Sequence, residues 1–197
     1  MSRYLLAMAI LVWAGSLMAA ERACGLPKPH YRPKPGDPAW LAAAVQFHGH
    51  LGPWAVSGIR LGAAGLRKVG AEGYFDVEVT CEGPLAKPPK ACFLDGLQVG
   101  TGATLGKRNL HWVEAQQVVV RVKNLRTGQT AEVRPTAKLM ELLASFQPQP
   151  RVGGAKAADD HGPDATKPHK EEPAGALARQ VAAMSDEDLL TVALCAK

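Results

Sequence analysis

Two imidazoles stand close together in the stretch Phe47-His48-Gly49-His50-Leu51-Gly52-Pro53-Trp54. Further along, Pro88 to Asn109 reads PPKACFLDGLQVGTGATLGKRN and offers a thiol at Cys92, a carboxylate at Asp95 and a Gly/Thr-rich run ending in Lys107. Imidazole with thiolate is the ligand chemistry of zinc, with iron, copper and nickel as alternatives. His48, His50 and Cys92 are therefore candidate metal ligands. Three such ligands leave a fourth position open, as in a catalytic or substrate-binding zinc rather than a closed structural one. Asp95 is suited to hold a ligating imidazole by accepting its other ring N–H.

What the metal would then do divides two ways. A binding protein would present or sense a metal or a metal-bound small ligand. A small zinc-dependent hydrolase or lyase would use metal-activated water and needs a carboxylate base, for which Asp95 and Glu82 are the candidates. Thr101, Thr104 and Lys107 could cradle a small anionic ligand, or the run could be a tight glycine-rich turn. It is not a phosphate loop, because Thr101 occupies the first glycine position and Arg108 follows the lysine where Ser or Thr is required. HExxH, a nucleophile elbow and a dinucleotide fingerprint are all missing from the sequence.

The elements that must position these groups can be read from periodicity. Asp37 reads as an N-cap and Pro38 as the first helical residue. Leu41, Ala44, Val45 and His48 then follow i, i+3, i+4, i+7, which turns His48 inward at the end of an apolar face. Pro53 to Val69 reads as a second helix. Its Gly58, Gly62 and Gly65 lie along one side, and since each costs a helix about 0.8–1 kcal/mol relative to Ala, something must pack very close there. Phe75, Val77 and Val79 alternate with polar residues as a strand ending at Cys81. Ala91 to Gly102 reads as a helix with Cys92 in its first turn, where the helix dipole favours thiolate. Two strands, Gln117 to Val122 and Thr130 to Arg134, flank a turn at 125–128, and Ala137 to Phe146 is amphipathic.

Either side of this block the pattern changes. Arg3 followed by the uncharged run Tyr4 to Ala20 has the layout of a cleaved signal peptide (residues 1–20), and too short an apolar core for the roughly 20 residues of a spanning helix. A periplasmic or secreted protein, not membrane-spanning after cleavage, is expected. Residues 21–37, with Pro27, Pro29, Pro33 and Pro35, read as an extended arm. Residues 38–147 form the main domain. Residues 148–175 are rich in Pro, Gly, Ala and charge, and read as a disordered linker in which His161 and His169 are solvated. Residues 176–197 read as a C-terminal helix, helical from Ala176 to Cys195, with Ser185 and Asp188 as its capping box. The expected fold class is α+β, with helices on one small mixed sheet and this helical segment after the linker.

The net charge of +5 is spread without a basic run, so a nucleic-acid partner is not expected. A homo-oligomer is compatible with the sequence. Four cysteines, Cys24, Cys81, Cys92 and Cys195, allow three disulfide pairings, and any of them that includes Cys92 competes with a metal role.

The two chemical stretches can be written as HGH-x-x-P-x-x-x-x-G-x-R from His48 to Arg60 and C-x-x-D-G-x-Q-x-x-T-G-x-T-x-G-K-x-N from Cys92 to Asn109. Over roughly Ala39 to Phe146 they resemble the family of the E-type subunit of formylmethanofuran dehydrogenase. The resemblance implies a small α+β domain with a metal site, zinc in the usual assignment, on His48, His50 and Cys92. Many members carry a cysteine where this chain has Gly52 and another at Ala103. Some also carry a C-terminal four-cysteine zinc module that this chain lacks. The resemblance does not carry the dehydrogenase activity with it, since the E-type subunit does not hold the pterin metal centre.

Overall fold

A computed structural model describes Pro27, Pro29 and residues 31–146 and 173–196. The expected signal peptide, Cys24, most of the linker, His161 and His169 lie outside the described residues. Among the described residues, no helix is long and apolar enough to cross a membrane.

In chain order the elements are α1 (Trp40–His48), α2 (Pro53–Val69), β1 (Val77–Glu82), α3 (Cys92–Thr101), β2 (Leu110–Val113), β3 (Val119–Asn124), β4 (Thr130–Pro135), α4 (Ala137–Ser145), α5 (Pro173–Ala183), α6 (Asp186–Leu189) and β5 (Leu190–Leu194). The strands make one five-stranded mixed sheet in the order β2-β1-β3-β4-β5. β1 and β2 run parallel, with Val79 opposite Leu110, and the other neighbours are antiparallel. Alternation puts Val77, Val79, Cys81, Val120, Val122, Ala131 and Val133 on one buried face. α2 lies across that face, and α3 and α5 pack on α2. The fold class is thus α+β.

α2 is held at the centre of the molecule because glycines let its neighbours approach. A Cβ on Gly58 would stand 2.1 Å from the carbonyl oxygen of Phe93 in α3, and one on Gly65 would stand 2.5 Å from Val122 Cγ2 in the sheet. α3 answers in kind, since a Cβ on Gly96 would lie 2.0 Å from the Ala55 carbonyl oxygen. The glycine stripe is the seam along which α2 meets both α3 and the sheet.

Several boundaries differ from the sequence reading. Asp37 does not cap α1, which starts at Trp40 after Ala39. Its carboxylate instead accepts from Arg179 Nε at 2.7 Å and from the Tyr31 hydroxyl at 3.0 Å, tying the segment before α1 to α5. Phe75 is 81% exposed and lies outside β1. β2 had no signal because only Leu110 of its four residues is buried. Residues 173–175, placed in the linker, open α5.

The largest correction is at the C-terminus, where Ala176 to Cys195 is not one helix. Ser185 does cap, accepting from the Asp188 N–H, but α6 lasts a single turn and the chain leaves it as β5. Leu190, Val192 and Leu194 recur every second residue, which is the strand period, and they pair with Pro135, Val133 and Ala131 of β4. These apolar residues form the sheet's last strand.

The Arg179–Asp37 pair gives a prediction. Hydrogen bonding from Arg179, with further help from Lys34 N–H and Tyr31, lowers the Asp37 carboxyl to about 2. A carboxyl lowered on folding stabilises above its unfolded value of about 3.9 and ceases to do so as pH falls through the folded value. Asp37→Asn is therefore expected to lower urea-unfolding stability by about 1–2 kcal/mol at neutral pH. The gap to wild type should close as pH falls from about 4 to about 2. A gap that does not change with pH would show that the pair contributes nothing through its charge.

Candidate functional site

His48 is the last residue of α1. Gly49 follows at φ 90° and closes the helix by donating its N–H to the Val45 carbonyl at 2.7 Å. That left-handed turn is open to glycine and strained for other residues. It also folds the chain back, so that the His50 ring lies 4.6 Å from the His48 ring, centroid to centroid, tilted by 40°. The paired imidazoles of the sequence are paired in space because a glycine separates them.

The His48 side chain is 8% exposed and meets Asp95 of α3, Nδ1 to Oδ2, at 2.7 Å. A carboxylate can only accept, so the proton of the neutral ring sits on Nδ1 and Nε2 carries the lone pair. Among the described residues this Nε2 is buried and has no hydrogen-bond partner. Its surroundings are set by Gly52, the residue before α2. A Cβ built there would lie 3.3 Å from His50 Nε2 and 3.6 Å from His48 Nε2. Both Nε2 atoms therefore converge on the bare side of Gly52.

Cys92 opens α3 and precedes Asp95 by three residues, so the two share a helix face. Among the described residues, however, no group of three or more His, Cys, Asp or Glu side chains is gathered so that it could hold a metal ion. The structure brings His48, His50 and Asp95 together, with Cys92 on the same helix face as Asp95. Cys81 is a free, fully buried thiol in β1, pushed up to about 12 by burial and then by the charge of Glu82, which suits packing rather than ligation.

The remaining candidates are engaged elsewhere. Glu82 pairs with Arg121, which also reaches Glu132 at 2.9 Å, so Glu82 belongs to a charge network on the sheet. Thr101 is 2% exposed, and its hydroxyl donates to the Leu97 carbonyl and accepts from Ala103 N–H. The Thr104 hydroxyl accepts from Lys107 N–H, and the Lys107 ammonium sits 5.6 Å from the centre of the Phe75 ring. The turn's own backbone thus engages both hydroxyls, Thr101 as donor and acceptor and Thr104 as acceptor. Asn109 pins the same turn, donating to the carbonyls of Tyr74 and Val77 and accepting from Thr104 N–H.

Arg60, which ends the first motif, had no assigned role. Its guanidinium donates to the carbonyls of Ala182 and Met184 at 2.7 and 2.9 Å and to Asp186 at 2.7 Å. It satisfies carbonyls at the end of α5, which helices leave unpaired, and so fastens the C-terminal elements to α2. The signal for this was present as an arginine on a largely buried helix.

A family model described as "FmdE, Molybdenum formylmethanofuran dehydrogenase operon" matches residues 47–191. The chain belongs to the FmdE family. The match runs well past Phe146 and takes in α5, α6 and the start of β5, in keeping with the place of β5 in the sheet. A protein of Archaeoglobus fulgidus named "Probable S-adenosyl-L-methionine-binding protein" is 32% identical over 74 residues, which is 38% of this chain and 20% of that relative. This FmdE chain therefore spans only a fifth of that relative's length in the aligned region.

Proposed function

We propose that this FmdE-family chain is an exported metal-binding protein whose site is built on His48 and His50, with Cys92 as third ligand. Zinc is the metal that this donor set suits best. The observation that carries the reading is the buried His48 Nε2, unpartnered among the described residues while Asp95 fixes the other ring nitrogen. A buried polar atom without a partner costs about 1–3 kcal/mol, and a lone pair so placed is satisfied by a metal ion. Carboxylate–histidine pairs are the usual way of orienting a ligating imidazole. The two imidazoles are donors of the kind zinc takes, and Cys92 complements them in chemistry as a soft third donor. Export rests on Arg3 and the apolar run behind it.

Between binding and turnover, binding has the better support. The hydrolase or lyase reading needs an uncommitted carboxylate, whereas Asp95 is bonded to His48 and Glu82 to Arg121. When bound, zinc would supply Lewis acidity and a position for a metal-bound small ligand. His48 and His50 would hold it, and Asp95 would keep the proton on His48 Nδ1. The relative's printed name describes that relative, and the aligned fifth is too small a share to bring methyl-donor binding here.

Metal analysis of the full chain, purified without a histidine tag or chelator, tests the reading. About one transition-metal ion per chain is expected, lost on acidification as the ligands take up protons. A chain that retains no metal after zinc loading and dialysis would overturn it.

A further inference from the structure

β5 is an outer strand of the sheet, and its sequence does nothing to guard it. Leu190-Thr191-Val192-Ala193-Leu194 carries no charge and no proline, the devices that keep an edge from pairing with another chain. The register shows which groups face outward. Cys195 N–H donates to the Thr130 carbonyl at 2.8 Å and Thr136 N–H to the Leu189 carbonyl at 3.0 Å, so Thr191 and Ala193 are the residues that bond to β4. The residues between them turn their polar groups the other way. Val192 and Leu194 therefore point N–H and C=O off the sheet, as Leu190 does its C=O, while the Leu190 N–H is taken by the Asp186 carbonyl. Among the described residues no strand lies there to meet them. Beside this edge, between α2 and β5, lies an open groove of about 370 Å³ whose lining includes Ala64, Leu190 and Val192. Arg67 and Asp186 also line it and pair with each other, but Lys68 and Glu187 have no ion pair among the described residues. Leu194, on the same face of β5 as Val192, is 45% exposed.

We propose that β5 pairs antiparallel with β5 of a second copy of this chain, about a two-fold axis at Val192, so that two sheets become one. In that register Val192 meets Val192 of the second copy and Leu194 meets Leu190. Each outward N–H then finds an outward C=O. A two-fold contact requires one surface to complement itself, and this one does so three times over. The edge supplies donors and acceptors in matching positions. Leu194 of each copy comes to lie beside Leu190 of the other, where the groove opens, and both are shielded from water. Lys68 and Glu187 bring one cation and one anion from each copy to the seam, so no excess of either sign gathers there.

The test is sedimentation velocity of the full chain, as recovered from cells, across a micromolar-to-millimolar range. The wild type should form dimers. Leu194→Lys puts a cation where the copies meet and should give folded monomers, because this side chain is half exposed in the single chain. Val192→Pro removes an N–H that β4 does not use and should also give monomers. If that variant fails to fold, Leu194→Lys and a cross-link decide. For the cross-link, Val192→Cys is combined with Cys195→Ser. Residues opposed in such a pair have Cα atoms about 5.5 Å apart, within disulfide reach. Oxidised glutathione takes the two hydrogens of the two thiols and is itself reduced, and peptide mapping should find residue 192 joined to residue 192. A wild type that stays monomeric overturns the proposal, even if β5 accepts a strand from a different protein. So does a dimer that Leu194→Lys leaves intact, or one in which the thiol introduced at 192 stays reduced or is joined elsewhere.

Discussion

Gly96→Ala is expected to destabilise the protein by about 3 kcal/mol or more, a large part of the roughly 5–15 kcal/mol that holds an ordinary domain folded. The new methyl carbon would lie 2.0 Å from the Ala55 carbonyl oxygen and 2.9 Å from the Gly58 Cα. Both obstacles are backbone, so no change of side-chain rotamer can relieve them. α2 and α3 must separate, and they carry between them the packing of Phe93 and Leu97, each almost fully buried. Gly62→Ala should be milder, since its nearest obstacle is the Thr101 methyl at 2.7 Å. Gly106→Ala, whose Cβ would find only the Thr104 hydroxyl oxygen at 4.0 Å, should stay within about 0.5 kcal/mol of wild type. Urea-unfolding midpoints for the three variants would rank these costs. Equal values at Gly96 and Gly106 would mean that the helix seam is not the tight contact described here.

That seam was legible in the sequence because the cost of helical glycine demands a reason, and three along one side of α2 named the side. The partner was not legible. Nothing in residues 53–69 says that α3 would answer with Gly96 and Gly100. The same division holds at the site. The helix period placed His48 inward, and the spacing of Cys92 and Asp95 placed both on one face of α3. Only the packing of α1 against α3 could bring Asp95 to within 2.7 Å of His48. Thr101, Thr104 and Lys107 were ambiguous in the sequence for a physical reason. Hydroxyls and glycines suit an anion cradle and a self-closed turn equally well, and which one forms depends on whether the hydroxyls face outward. β5 was missed because the Ser185 cap is a strong local helix signal, while the pairing that overrides it is with β4, far away in the chain.

Loss of metal in His48→Ala is the second large effect expected, and it separates a metal role from a structural one. If His48 and His50 hold the ion, removing His48 deletes one of the two imidazoles, and stoichiometric zinc should no longer survive dialysis. Cys92→Ala should have the same outcome, because a three-ligand site rarely outlasts the loss of one. Asp95 acts on the site only through His48, so Asp95→Ala should leave the ligands in place and weaken zinc by about 10–100-fold. Asp95→Asn should fall between Asp95→Ala and wild type. Its amide oxygen can still accept from His48 Nδ1 and preserve the tautomer, but without the charge that makes the ring a better donor. The competing account is that His48 and Asp95 form a structural hydrogen bond and nothing more. On that account His48→Ala and Asp95→Ala would lower the thermal midpoint of the metal-free protein by similar amounts and leave zinc binding unchanged in both. Zinc titrations of the four variants, paired with unfolding of their metal-free forms, decide between the two. Unaltered zinc affinity in a folded His48→Ala protein would remove the imidazole pair from the site.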